Sequence, residues 1–159
     1  MMPFIDLSFA PSFQLISRVR GFVREFYGET LNDDDLVSRL EVATHEMLEN
    51  AVKGSSDDLA RIRIELLDAQ PSKLVIRTWN RASASDLEEV SKRIRALNSA
   101  DDPLAHYQTL MESSAGRSDG SGLGLGRVRA EAEMEVSHSV DGDTLCITAE
   151  MTVEKPSGR

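Results

Sequence analysis

The chain has 159 residues, with 18 Lys and Arg against 27 Asp and Glu, a formal charge of −9 and ordinary apolar and charged fractions. That length suits one domain with a real core. The acidic balance argues against nucleic acid as the main partner, because phosphate contacts need a basic face. No run approaches the roughly 18 apolar residues of a membrane span, and the N-terminus lacks the pattern of a secretory signal.

The expectation is a cytoplasmic domain spanning residues 1–153, with no membrane contact and a frayed tail over 154–159. Acidity does not exclude a nucleotide, whose binding depends on local dipoles and a metal. The single cysteine, Cys146, excludes an internal disulfide framework, and its apolar strand context predicts a packed thiol. His45, His106 and His138 are scattered without ligand spacing, so His45 reads as an ordinary helix residue.

Residues 3 to 9 alternate apolar and polar, which predicts an opening strand. After Pro11-Ser12, the apolar residues Phe13, Ile16, Val19, Val23 and Phe26 recur at three- and four-residue steps, one face of a helix ending near Gly28. Asn32-Asp33-Asp34-Asp35 supplies an N-cap and acids in a first turn, where the helix dipole favours negative charge. This starts a central helix with Leu36, Leu40, Ala43 and Met47 toward the core, stopped by Gly54-Ser55-Ser56.

On that helix Glu46, Asn50 and Lys53 fall at i, i+4 and i+7, bordered by Ala43, Met47 and Ala51. The stripe therefore lies at the edge of a buried face. An amide oxygen there can ligate a hard cation, and a carboxylate one turn away can take a proton from a nucleophile. Solvated polar residues on an ordinary helix would give the same spacing, so the rest of the chain must decide.

Two alternating strands follow, Ala60 to Leu67 and Lys73 to Trp79, linked through Gln70-Pro71-Ser72 as a hairpin. Ile62, Ile64 and Leu66 face one way, and Arg61, Arg63 and Glu65 the other, as in an antiparallel sheet covered on one side only. A charged helix from Ser85-Asp86 to about Leu97 and a second from Asp101-Asp102-Pro103 to about Met111 come next. Glu112 to Asp119 is small, polar and rich in Ser and Gly, either a surface insertion or a lid over a site.

Gly120-Ser121-Gly122-Leu123-Gly124-Leu125-Gly126 then runs into a helical stretch, Arg127 to Glu133. Glycines ahead of a helix let backbone N–H groups approach an anion, although plain turns also use them. Met134 to Val140 and Thr144 to Val153 are two strands around an Asp141-Gly142 turn.

Taken together, the Glu-x-x-x-Asn helix, two strands, insertion, Gly-x-Gly-Leu-Gly-Leu stretch and two final strands resemble the GHKL, or histidine-kinase-like, ATPase superfamily. Within it the chain is most similar to the anti-sigma and switch-protein serine kinases of the RsbW and SpoIIAB type. The resemblance covers nearly the whole chain. His45-Glu46-Met47-Leu48-Glu49-Asn50-Ala51-Val52-Lys53 matches the Glu-x-x-x-Asn-Ala-x-Lys pattern, and Gly120 to Gly126 matches the second glycine box.

The resemblance implies an α+β, two-layer Bergerat-type sandwich, with a mainly antiparallel sheet and its helices on one face. It implies ATP and Mg2+ as cofactors, Glu46 as general base, Asn50 as magnesium ligand, Lys53 near the phosphates, and Gly120, Gly122 and Gly124 around them. It further implies a protein partner, a STAS-domain anti-anti-sigma protein or a sigma factor, with serine phosphorylation as the activity and a homodimer as one assembly. One motif departs from the pattern. Where the family has Asp-x-Gly-x-Gly to receive adenine, this chain reads Asn80-Arg81-Ala82-Ser83. Asn80 offers an amide oxygen, a weaker acceptor than a carboxylate, and Ala82 adds a methyl where glycine leaves room. The alternative is therefore a degenerate regulator that binds its partner without nucleotide turnover. Trp79, at a strand end, would suit either an interface anchor or a core.

Overall fold

The computed structural model describes residues 2–57, 59–114 and 123–153. The elements run β1 (Phe4–Phe9), α1 (Phe13–Leu31), α2 (Asp34–Gly54), β2 (Ala60–Leu67), β3 (Ser72–Arg81), α3 (Ala84–Ser99), α4 (Pro103–Ser114), α5 (Leu123–Ala130), β4 (Glu135–Asp141) and β5 (Thr144–Val153). The strands form one sheet in the order β1-β2-β3-β5-β4, and every neighbouring pair is antiparallel. This is the two-layer α+β sandwich that the alternating strands imply.

Register explains the layering. Ile64 lies opposite Ile76 and Leu66 opposite Leu74, while Ile76 meets Ala149 and Leu74 meets Met151. All are buried, and they meet Val23, Leu40 and Met47 from the helices in one apolar cluster. The opposite parity places Arg61, Arg63, Glu65, Arg77 and Trp79 on the sheet's open face. There Asp6 accepts from Arg61 and Arg63, Glu65 accepts from Arg63 and Arg77, and the Arg61 guanidinium lies 4.4 Å from the Trp79 ring centre. Trp79 is thus half-buried under an arginine, neither a core residue nor a bare anchor. Cys146 sits opposite Trp79 on this face and is half-buried, which corrects the expectation of a packed thiol.

The first helix is three residues longer than its glycine suggests. It passes Gly28 and stops at Asn32, whose left-handed φ of 47° lets its N–H return to the Gly28 carbonyl. The short side chain of asparagine tolerates that conformation. Tyr27, fully buried, donates from its hydroxyl to the Ile64 and Pro3 carbonyls and so fastens α1 to the sheet edge. Asp33 caps α2 by accepting from the Asp35 and Leu36 amides, with Asp34 and Asp35 in the first turn. Arg39, farther along α2, donates to the Ala132 carbonyl beyond α5, which ties the two helices to a common frame.

The glycine stretch differs from its expected form. Gly124 and Gly126 lie inside α5, which begins at Leu123 and ends at Ala130, not within a loop that precedes a helix over Arg127 to Glu133. The reason is packing. A Cβ on Gly126 would stand 3.1 Å from Leu110 and 3.2 Å from Tyr107, so glycine there lets α4 lie directly against α5. Gly120 and Gly122, most of the expected lid and the expected frayed tail lie outside the described residues; Glu112 to Ser114 form the last turn of α4. Among the described residues, no helix is long and apolar enough to cross a membrane.

Candidate functional site

A cavity of about 760 Å3 opens between α2, α3, α4 and α5 above the β5 end of the sheet. Its size suits a small-molecule ligand. Glu46, Asn50 and Lys53 of α2 line it, as do Gly124 and Arg127 of α5. Leu145 and Ile147 of β5, with Ala82 and Val90, give it an apolar floor and flank. The stripe of Glu46, Asn50 and Lys53 on α2 thus shares one concavity with Gly124 of the glycine stretch.

Glu46 is 8% exposed, and its carboxylate sits under α5. Oε1 accepts from Arg127 Nη1 at 3.0 Å. A Cβ on Gly124 would stand 2.7 Å from Oε2, so glycine is needed for the backbone of α5 to come this close. Arg127 also donates from Nε to Glu131 at 2.7 Å, forming a carboxylate–guanidinium–carboxylate bridge on the cavity wall. Its hydrogen bonds to Glu131 and then to Glu46 hold the Arg127 guanidinium above its ordinary value. Tyr107 of α4 also lines the cavity; burial, reinforced by the Glu131 carboxylate, pushes its phenol up.

Asn50 is half-buried, and its Nδ2 is buried without a hydrogen-bond partner. An orphaned amide facing a cavity fits a ligand-binding role. Lys53 is exposed at the rim. Asn80 is placed differently. It is buried, does not line the cavity, and its Nδ2 donates to the Arg81 carbonyl while facing Gly54 at contact distance. Ala82, two residues on, lines the wall instead.

Several residues of the site had no signal in the sequence reading. Glu49, Asp86, Glu89, Arg93 and Glu131 bring further charge to the cavity, which carries five carboxylates and three cations with Glu46, Lys53 and Arg127. The i, i+4 spacing of Arg127 and Glu131 was visible, but only the fold leans Arg127 onto α2. His45 lies on α2 beside this stripe: one ligand atom each from His45, Glu46 and Glu49 lies within 4.8 Å of the others, and His45 Nδ1 is buried without a partner.

No protein-family model matches the chain, and no curated protein matches it in sequence. Its structure is similar to a chain in the crystal structure of the SiaB-SiaC complex from Pseudomonas aeruginosa. The TM-score is 0.72 at 14% identity, over 92% of this chain and 88% of that one. At that identity the likeness establishes the shared fold.

Proposed function

We propose that this domain is a regulator of the anti-sigma or switch-protein kinase type, which binds Mg-ATP in the α2–α5 cavity and acts on a protein partner. The observation that carries this reading is the convergence of Glu46, Asn50, Lys53 and Gly124 on one 760 Å3 concavity. The lining offers groups suited to the cofactors: the Asn50 amide, whose oxygen can ligate a hard cation, a glycine where the backbone closes on the carboxylate, and a lysine at the rim. The similarity to a chain from the SiaB-SiaC complex supports a protein as the partner. By resemblance that partner is a STAS-domain protein or a sigma factor.

When bound, Mg-ATP supplies the phosphoryl group and the metal charge that neutralises it. Asn50 would offer its amide oxygen to the cation, and Lys53 its ammonium to phosphate. Glu46 would accept the proton of a partner serine hydroxyl, the general-base role of a buried carboxylate held in place. Arg127 would have to leave Oε1 for that oxygen to meet the hydroxyl, because the guanidinium is hydrogen-bonded to it.

A second reading, a protein-binding regulator without turnover, is favoured by Asn80. Its amide is spent on the Arg81 carbonyl, and Ala82 lines the wall where a base would lie. Thermal melting with and without Mg-ATP separates the two. Ligand at 100 times its Kd adds about 2.7 kcal/mol, and the melt should rise by several degrees. An unmoved melt at millimolar Mg-ATP, with a partner still captured, selects the binding module.

A further inference from the structure

We propose that Arg127 is the anion receptor of the cavity and, without an anion, the group that holds Glu46 out of proton transfer. This deepens the nucleotide reading and rests on it for the role of Glu46. Three observations carry it. First, the guanidinium lies on the cavity wall and is shared between two carboxylates, Glu46 at 3.0 Å and Glu131 at 2.7 Å. A planar fork of five N–H donors is the side chain best matched to phosphate, and here it stands where an anion in the cavity would meet it.

Second, the cavity is poor in free positive charge. Of the three cations that line it among the described residues, Arg93 is paired with Glu89 at 3.2 Å and Arg127 with Glu46 and Glu131, which leaves Lys53 at the exposed rim. Five wall carboxylates repel a bare polyphosphate, so an anion enters only as a metal complex and needs a guanidinium that can turn toward it. Third, Arg127 is only one turn beyond Gly124, the residue against Glu46 Oε2. Any shift of α5 that admits a ligand therefore changes both contacts of the Glu46 carboxylate together.

The consequence is a base gated by its own substrate. Without an anion, Glu46 accepts from Arg127 at Oε1, and the guanidinium occupies the place a hydroxyl would take. When an anion draws Arg127 away, the guanidinium stays on the wall while Glu46 loses its donor and becomes available to a hydroxyl. Arg127 acts on the reaction through Glu46 and through ligand binding, as a positioning residue.

The test combines calorimetry with NMR. Titrate Mg-ATP and Mg-tripolyphosphate into the parent, Arg127→Ala and Arg127→Lys, and follow the Arg127 Nε–H resonance of the 15N-labelled parent. The expected result is affinity at least tenfold weaker in R127A, recovered to within about threefold in R127K, with the parent resonance shifting at saturation. A ligand that saturates the parent without moving that resonance overturns the proposal, whether or not R127A folds. Equal affinity in parent and R127A also overturns it. Arginine-dependent binding of Mg-tripolyphosphate but not of Mg-ATP keeps the receptor and removes the nucleotide reading. Neither ligand binding to the parent removes both.

Discussion

Two arginine–carboxylate chains lie on opposite sides of this sheet, and their surroundings give them different physical meaning. On the open face Asp6 takes three hydrogen bonds from Arg61 and Arg63, and Glu65 takes two more from Arg63 and Arg77. That network is partly solvated, and each charge is matched by neighbours in the same ladder. Under α5, Glu46 and Glu131 divide one guanidinium, Glu46 is buried, and the buried Asn50 amide nitrogen nearby has no hydrogen-bond partner. The first arrangement is complete as it stands, and covers a face that has no helices. The second leaves polar groups incompletely paired, which is common at binding sites.

The sharpest way to break this comparison is chemical. Glu46→Gln keeps the shape and the Gly124 contact but removes the carboxylate, and phosphoryl transfer to the partner should fall by about 10²–10⁴, the usual worth of a general base. Asp6→Asn, the same change on the open face, should leave transfer at the parental rate. Transfer measured with labelled ATP that survives Glu46→Gln would remove the base from the mechanism.

The next effect is energetic. Arg127→Ala leaves the buried Glu46 carboxylate without its donor and should cost about 1–3 kcal/mol. Arg61→Ala removes a partly exposed partner of an Asp6 that still keeps Arg63, and should cost about 0.2–1 kcal/mol. Urea unfolding of the two variants checks the ranking. Equal losses would mean that the cavity pair is as well solvated as the surface one.

A pair of glycines sharpens the contrast at smaller scale. Gly21 lies exposed on α1 with nothing within 4 Å of a built Cβ, so Gly21→Ala should stabilise by about 0.5–1 kcal/mol through helix entropy. Gly124→Ala offers the same entropic gain but sets a methyl 2.7 Å from a carboxylate oxygen pinned by Arg127. The net should be a loss of about 1 kcal/mol, with weaker Mg-ATP binding in calorimetry. A stabilised Gly124→Ala protein would show that α5 moves away from Glu46 at little cost.

These contrasts also show what a linear sequence can carry. Strand alternation and the capping acids of α2 are local, so the sheet, its bare face and the central helix were legible, as was the stripe of Glu46, Asn50 and Lys53. The Gly28 stop was misread because a left-handed asparagine four residues beyond the expected end outcompeted it. The start of α5 was misread because Gly126 serves the approach of Tyr107 and Leu110 from α4, a contact that spacing along α5 cannot reveal. Asn80 was assigned to the cavity from motif order alone. Its place beneath Gly54 depends on how the α2 end crosses β3. Arg127 went unread for the same reason: its partner is 81 residues away.

The smallest effect belongs to pH on the open face. Hydrogen bonds from Arg61, and then from Arg63, lower the Asp6 carboxyl from its ordinary 3.8 to about 2. A carboxyl with a folded-state pKa below its unfolded value adds stability above the unfolded pKa and loses it as pH falls through the folded one. The Asp6 contribution is therefore complete above about pH 4 and disappears toward pH 2. Because Asp6 is partly exposed and shares Arg63 with Glu65, solvent screening limits the contribution to about 1 kcal/mol. Other carboxylates titrate in the same range, so the comparison is parent against Asp6→Asn. The parent should melt a few degrees higher at pH 6, and the two curves should converge as pH falls from 4 to 2. A gap that persists at pH 2 would mean that Asp6 acts through shape, and that the open-face chain owes its stability to packing of arginine on Trp79 and Phe4.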